Sequence, residues 1–216
     1  MVQAAGVNRD QVREELIALA HHHIDRWDEY ADREFRSNEF GFEFVSHQTN
    51  YNNCTLTVSK ASVPGLTLEK HKHFRENIVS LLPKMDDRLT IVPCPDHDGL
   101  KCFIQHIKMP VLMTNRSIPI LYYSMVHEDG SLVFIGSSHS TDAVVANQAS
   151  IIKKNVVANN IINYTKLTPT ADGCDWVSVQ CLDIAGSIPD ALKKQGAERQ
   201  AKNAMNLIKL IRDGDL

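Results

Sequence analysis

Apolar residues recur at Val12, Leu16, Ala20, Ile24, Trp27, Ala31 and Phe35, three or four positions apart, which predicts an amphipathic helix over 8–35. Asn8 suits its N-cap, and Asp10 and Glu14 lie toward the positive end of its dipole. The period then shortens to two. Residues 40–47 and 54–59 read as strands of a hairpin turning through Asn50-Tyr51-Asn52-Asn53, with Cys54, Leu56 and Val58 alternating against Thr55, Thr57 and Ser59. After Pro64-Gly65, helical spacing returns at Phe74, Ile78, Leu81 and Leu82 and predicts a short helix over 68–85, stopping near Pro83.

A denser series of strands follows. Residues 89–94 and 101–108 flank Asp98-Gly99, and 119–127 and 131–136 flank Asp129-Gly130. Both Asp-Gly steps favour tight antiparallel hairpins. Residues 156–167 and 176–183 form a last pair around a turn ending at Gly173, and 188–212 read as one long amphipathic helix. There is no internal repeat, low-complexity tract or evident linker, so residues 1–216 read as a single domain.

Composition narrows the function classes. A chain of 216 residues with 43% hydrophobic and 23% charged residues is ordinary for a globular protein large enough to bury a substantial core. The net charge of -3 and the lack of a basic cluster beyond Lys153-Lys154 and Lys193-Lys194 argue against nucleic acid as a partner. Five cysteines, odd in number and irregular in spacing, read as reduced thiols. Charged residues occupy the first turns where a signal peptide would be apolar, and no 18-residue apolar run occurs, so the expected setting is cytoplasmic.

Candidate chemistry is sparse. His21-His22-His23 fan around a helix and cannot all face one ion, which predicts a solvated cluster. Cys94, His97 and Cys102 lack a fourth ligand and paired spacing, so no metal or cofactor is expected. Ser137, His139 and Asp142 crowd together locally, but nucleophile, base and orienting acid normally converge from distant segments. Asp183 and Gly186 suit a turn that aims the last helix, with Asp183 capping nearby N–H groups.

The segment Asp183-Ile-Ala-Gly186-Ser-Ile-Pro189 before the last helix, Asn115-Arg116-Ser-Ile before a strand, Val157-Ala158 opening a late strand, and Val63-Pro-Gly65 before the short helix together resemble the steroidogenic-acute-regulatory-related lipid transfer (START) domain family. That resemblance implies an α+β helix-grip fold, a curved antiparallel sheet wrapped around the C-terminal helix with a further helix at the N-terminus. It also implies an internal cavity for a sterol, fatty acid or other lipid, shielded or transferred between membranes by a monomer in transient membrane contact. The sequence departs from the family at Met85-Asp-Asp-Arg88, where a tryptophan is common, and at Val157 and Tyr122, where arginines are common. A tyrosine at 122 can hydrogen-bond but cannot neutralise a phosphate, which favours a neutral ligand.

On this reading Arg116 and Tyr122 are the polar ligand contacts. Phe103, Ile120, Phe134 and Val157, with the helix face of Leu192, Ala197, Ala201, Ala204, Met205 and Ile208, line the apolar wall. The alanines of that face either leave room for a ligand or simply favour helix. By the same resemblance, 137–150 is a lid loop whose Val144 and Val145 touch a membrane or tuck inward. A dry void of ~500 Å³ would cost on the order of 10 kcal/mol, so any such hollow is expected to be filled. The competing reading is an enzyme of the same architecture, a cyclase or hydrolase with His106, His127 or Asp183 as acid or base. A third is an interaction module whose cavity has collapsed.

Overall fold

A computed structural model, which describes residues 8–84, 86, 88–97, 100–110, 113–139, 152, 154–186 and 190–214, places ten strands in one sheet. In chain order the elements are α1 (Arg9–Asp25), β1 (Glu34–Ser37), β2 (Phe44–Tyr51), β3 (Cys54–Pro64), α2 (Leu68–Glu76) and α3 (Ile78–Leu81). There follow β4 (Leu89–His97), β5 (Leu100–Ile107), β6 (Arg116–Val126), β7 (Leu132–Ser137), β8 (Val156–Val157), β9 (Asn159–Pro169), β10 (Gly173–Asp183) and α4 (Asp190–Asp213). The strand order is β1-β2-β3-β10-β9-β7-β6-β5-β4, with β1 and β4 at the two edges and the short β8 running parallel to β6. All the other pairings are antiparallel.

The expected helix over 8–35 is three elements. Asn8 does cap α1, its side chain accepting from Gln11 N, but α1 ends at Asp25 and a 3-10 helix spans Trp27–Arg33. Residues 34–37 then add an edge strand to β2. Contacts with the sheet override helical spacing here: Trp27 stacks on His47 with ring centroids 3.8 Å apart, and Phe35 packs against Phe44. The expected helix over 68–85 is likewise broken. Asn77 ends α2, its backbone N–H reaching His73 O and Phe74 O while its side-chain amide donates to His73 O.

The β2–β3 hairpin begins and ends later than the alternation suggests. Its turn holds Asn52 and Asn53 at φ 49° and 62°, the left-handed pair that a two-residue hairpin requires and that asparagine tolerates.

Helices cover both faces of the sheet. On the outer face Leu16 and Ala20 of α1 pack with Leu56, Val58, Ile162, Tyr164 and Val179. On the inner face Ala201, Ala204, Met205, Ile208 and Ile211 of α4 join Phe44, Ala61, Phe74, Ile118, Leu167 and Trp176. This two-sided cover explains why β3 buries Leu56 and Val58 outward and also Thr57 and Ser59 inward.

The histidine run is not wholly solvated. His23 is 4% exposed with Nδ1 2.8 Å from the Tyr30 hydroxyl. Burial, with the nearby charges of His22 and Arg26, pushes its pKa down to about 4. The folded state therefore holds His23 neutral, whereas the unfolded chain takes up a proton near pH 6.5. Stability is full above that pH and falls as the pH drops toward 4, by on the order of 2 kcal/mol at pH 5. Urea titrations at neutral and acidic pH are expected to show this loss, and His23→Phe is expected to flatten it.

Candidate functional site

Three of the four sequence segments that carry the family resemblance, those at Asn115-Arg116, Val157-Ala158 and Asp183–Gly186, meet just before α4. Arg116 at the start of β6 is buried, and its Nε donates to Ile184 O at 2.8 Å and its Nη2 to Ala185 O at 3.1 Å, while Nη1 donates to Thr114 O. Beside it Val156 N donates to Asn115 O and Ala158 N to Ser117 O, each at 2.9 Å. The turn itself is set by Asp183 Oδ1, which accepts from Ala185 N at 2.9 Å, and by Ala185 and Gly186 at φ 54° and 77°. Asp183 thus acts as expected, by capping. Arg116, expected as a ligand contact, has all three guanidinium nitrogens engaged by backbone carbonyls before α4.

Farther along the inner face, pairing aligns small hydroxyl side chains across the sheet. Ser46 of β2 pairs with Ser59, Ser59 with Ser178, Ser178 with Thr165, and Thr165 with Phe134. One step on, Gln48, Thr57, Gln180, Asn163 and Gly136 form the next row. A side chain at Gly136 would lie 3.3 Å from Ile120 and from the Tyr122 ring, so the glycine makes space for the tyrosine.

Above these rows, α2 presents His71 and Arg75, four residues apart on one helical face. His71 is 0% exposed, its ring 4.6 Å from Phe134 and 5.4 Å from Trp176. Arg75 is 8% exposed, its guanidinium 4.9 Å from the Phe134 ring centre and 5.2 Å from that of Tyr122. Burial pushes the His71 pKa well down, reinforced by the Arg75 charge, and lowers that of Arg75 to about 9. Arg75 therefore remains a cation at neutral pH.

Buried polar atoms concentrate here. Among the described residues, the buried side-chain atoms lacking a hydrogen-bond partner are Ser46 Oγ, Thr57 Oγ1, both His71 nitrogens, Arg75 Nε, Trp176 Nε1, Ser178 Oγ and His23 Nε2. All but the last belong to the inner face or to α2 above it. Polar groups removed from water are normally paired, and each one left unpaired costs about 1–3 kcal/mol.

Several expected wall residues border this region. Phe103 and Ile120 lie in the inner core with Ala201, Ala204, Met205 and Ile208, and Tyr122 lies between Phe103 and Phe134 at centroid distances of 6.0 and 6.1 Å. Val157 does not border it. It is 36% exposed and pairs with Ser117 on the outer face, because β8 joins the sheet beside β6 with that side outward. The side chains of Leu192 and Ala197, and the loop with Val144 and Val145, lie outside the described residues. Sequence reasoning missed His71, Arg75 and Trp176 as site residues. No local pattern marked them: His71 and Arg75 lie four residues apart on α2, in a stretch whose basic residues read as a solvated helix face.

The acid–base candidates occupy separate places. His106 lies on the outer face with Nδ1 2.8 Å from Ser117 Oγ, which also accepts from Asn155 Nδ2 at 2.8 Å. Ser117 is fully buried, so this trio offers no accessible nucleophile although it borders an open cleft of about 440 Å³. His127 is exposed and Asp183 is held in its turn. The described residues include no cluster of three or more histidine, cysteine or acidic side chains fit to hold a metal ion, and no helix long and apolar enough to cross a membrane.

No protein-family model matches the sequence, and no curated protein matches it. Solved structures do match. The STAR-related lipid transfer protein (fragment 25-204) from Xanthomonas axonopodis superposes with a TM-score of 0.63 at 12% identity, over 83% of this chain and 97% of that one. Human StAR-related lipid transfer protein 5 gives 0.61 at 14% identity over 93% and 98%, and human STARD10 gives 0.60 at 12% identity over 82% and 72%. The chain has the helix-grip fold of these START domains, a large antiparallel sheet with an N-terminal helix and a long C-terminal helix.

Proposed function

We propose that this protein binds an apolar molecule between α4 and the inner face of the sheet, and that it shields the molecule from water and transfers it between membranes without transforming it. The observation that carries this reading is the set of unpartnered buried polar atoms at Ser46, Thr57, His71, Arg75, Trp176 and Ser178, gathered on the one face that α4 covers. A filled apolar core has no use for such a set. A ligand with an apolar body and a polar end does, because its end groups satisfy the orphaned donors while its body is driven in by apolar burial. The solved START domains share this architecture and are described as lipid transfer proteins, which supports the reading.

Acid–base chemistry gains no support from His106, His127 and Asp183, which do not converge. Native mass spectrometry on protein purified without detergent, with lipid extraction, is the test. Copurified lipid, or uptake of a fluorescent fatty acid or sterol at one per chain, is expected. Protein that is uniformly ligand-free and takes up neither probe overturns the proposal.

A further inference from the structure

Resting on that ligand site, we propose that the molecule it holds is an amphiphile whose polar end carries a single negative charge, a carboxylate or a phosphodiester, seated against Arg75 with His71 and the Trp176 indole beside it. The substitution of tyrosine at 122 pointed to a neutral ligand. Yet Arg75 places a cation against that same tyrosine from the opposite side of the site.

As it stands, the buried Arg75 is costly. A charged group taken out of water is normally paired with an opposite charge or neutralised. Among the described residues, no ion pair or hydrogen bond engages the Arg75 guanidinium. Its contacts are the faces of Phe74, Tyr122 and Phe134. Cation–π attraction to these rings offsets only part of the cost of burying an ion.

The neighbouring groups have the same polarity. Trp176 Nε1 can only donate and the neutral His71 ring carries one N–H, while the unpartnered Ser178 hydroxyl, two strands from Phe134 in the same row, is free to donate. Among the described residues no carboxylate pairs with Arg75, and burial is the cause that moves it. One cation among several donors complements one anion rich in acceptors. The planar guanidinium fork suits the two oxygens of a carboxylate or of a phosphodiester equally well. A neutral alcohol would accept a hydrogen bond from the site but leave its charge uncompensated.

The experiment compares oleate with oleyl alcohol, which share one chain and differ in charge, together with phosphatidylglycerol and diacylglycerol as the glycerolipid pair. Binding is read by displacement of a neutral fluorescent lipid at about 0.5 M salt, which screens exposed lysines but not a buried pair. At least ten-fold preference for the anion of one or both pairs is expected. Preference within the fatty-acid pair alone identifies a carboxylate, and preference within the glycerolipid pair alone a phosphodiester.

Arg75→Met should abolish the preference, weakening the anionic members at least ten-fold more than the neutral ones. It should also raise the melting temperature of the ligand-free protein, since it replaces an uncompensated charge with an apolar chain. Arg75→Lys, which keeps charge without the fork, should retain part of the preference. Equal binding of anionic and neutral members, or a preference that survives Arg75→Met, overturns this inference and leaves the lipid-binding reading standing. Failure of all four lipids to displace a fluorescent lipid that does bind overturns this inference alone, whereas failure of the fluorescent fatty-acid and sterol probes to bind as well overturns both.

Discussion

Gly173→Ala is expected to lower unfolding stability by about 3 kcal/mol, a drop in melting temperature of roughly 6–12 °C for a chain of this size. The residue opens β10 directly opposite Pro64, the last residue of β3. A Cβ there would stand 2.1 Å from Val63 O, 2.9 Å from Gly65 N and 3.0 Å from Pro64 Cα. All three obstacles are backbone, so no rotamer change relieves them. The strands must separate, and with them goes the bond from Gly65 N to Asp172 O at 2.8 Å that closes this end of the pair. Gly136→Ala is the informative contrast. Its neighbours at 3.3 Å are the side chains of Ile120 and Tyr122, which can shift, so a loss of about 1 kcal/mol is expected. Urea denaturation of the two variants measures the difference, and equal losses would contradict the account.

Arg116→Met should cost still more, about 4 kcal/mol. The carbonyls of Thr114, Ile184 and Ala185 all accept from one buried guanidinium, and each acceptor stripped of a charged donor loses about 1–3 kcal/mol. Two of these carbonyls belong to the turn that launches α4, so the damage should be local first. Hydrogen exchange of α4 amides is expected to accelerate before the sheet amides change. Arg116→Lys restores the charge but cannot span three carbonyls with one ammonium, and should recover only part of the loss. A variant with α4 protection unchanged would contradict this role and return Arg116 to candidacy as a ligand contact.

Much of the fold was legible in the sequence because its cues were local. The Asn52-Asn53 and Asp129-Gly130 turns, the Asn8 cap and the long final helix each announce themselves within a few residues. What escaped depended on partners distant in sequence. Glu34–Ser37 is a strand only because β2 offers it an edge, and Trp27 leaves the helical pattern to stack on His47. The alternation in β3 suggested one wet face. Both faces are dry because α1 and α4 cover them from opposite ends of the chain.

The candidate site was half legible for a related reason. Phe103, Ile120, Tyr122 and Phe134 follow from strand parity, which the sequence displays. His71 and Arg75 sit in a stretch, Leu68–Glu76, so rich in basic residues that it reads as a solvated surface helix. Their burial follows from the docking of α2 over the inner face, which no local pattern records. Arg116 is the opposite case, a motif read locally whose contacts are long-range. Its motif identified the right place in the fold, but its guanidinium serves the backbone of the following turn.

An open sheet of ten strands has two rims, and those of β1 and β4 are poorly suited to recruiting another chain. β1 offers four residues, two of them the charged Glu34 and Arg36, and β4 carries Pro93 and Pro95, which have no N–H to donate. Unlicensed β-addition is therefore discouraged at both ends of the ladder. Under the proposed function, opening to exchange an apolar ligand would not turn the sheet into a seed for aggregation.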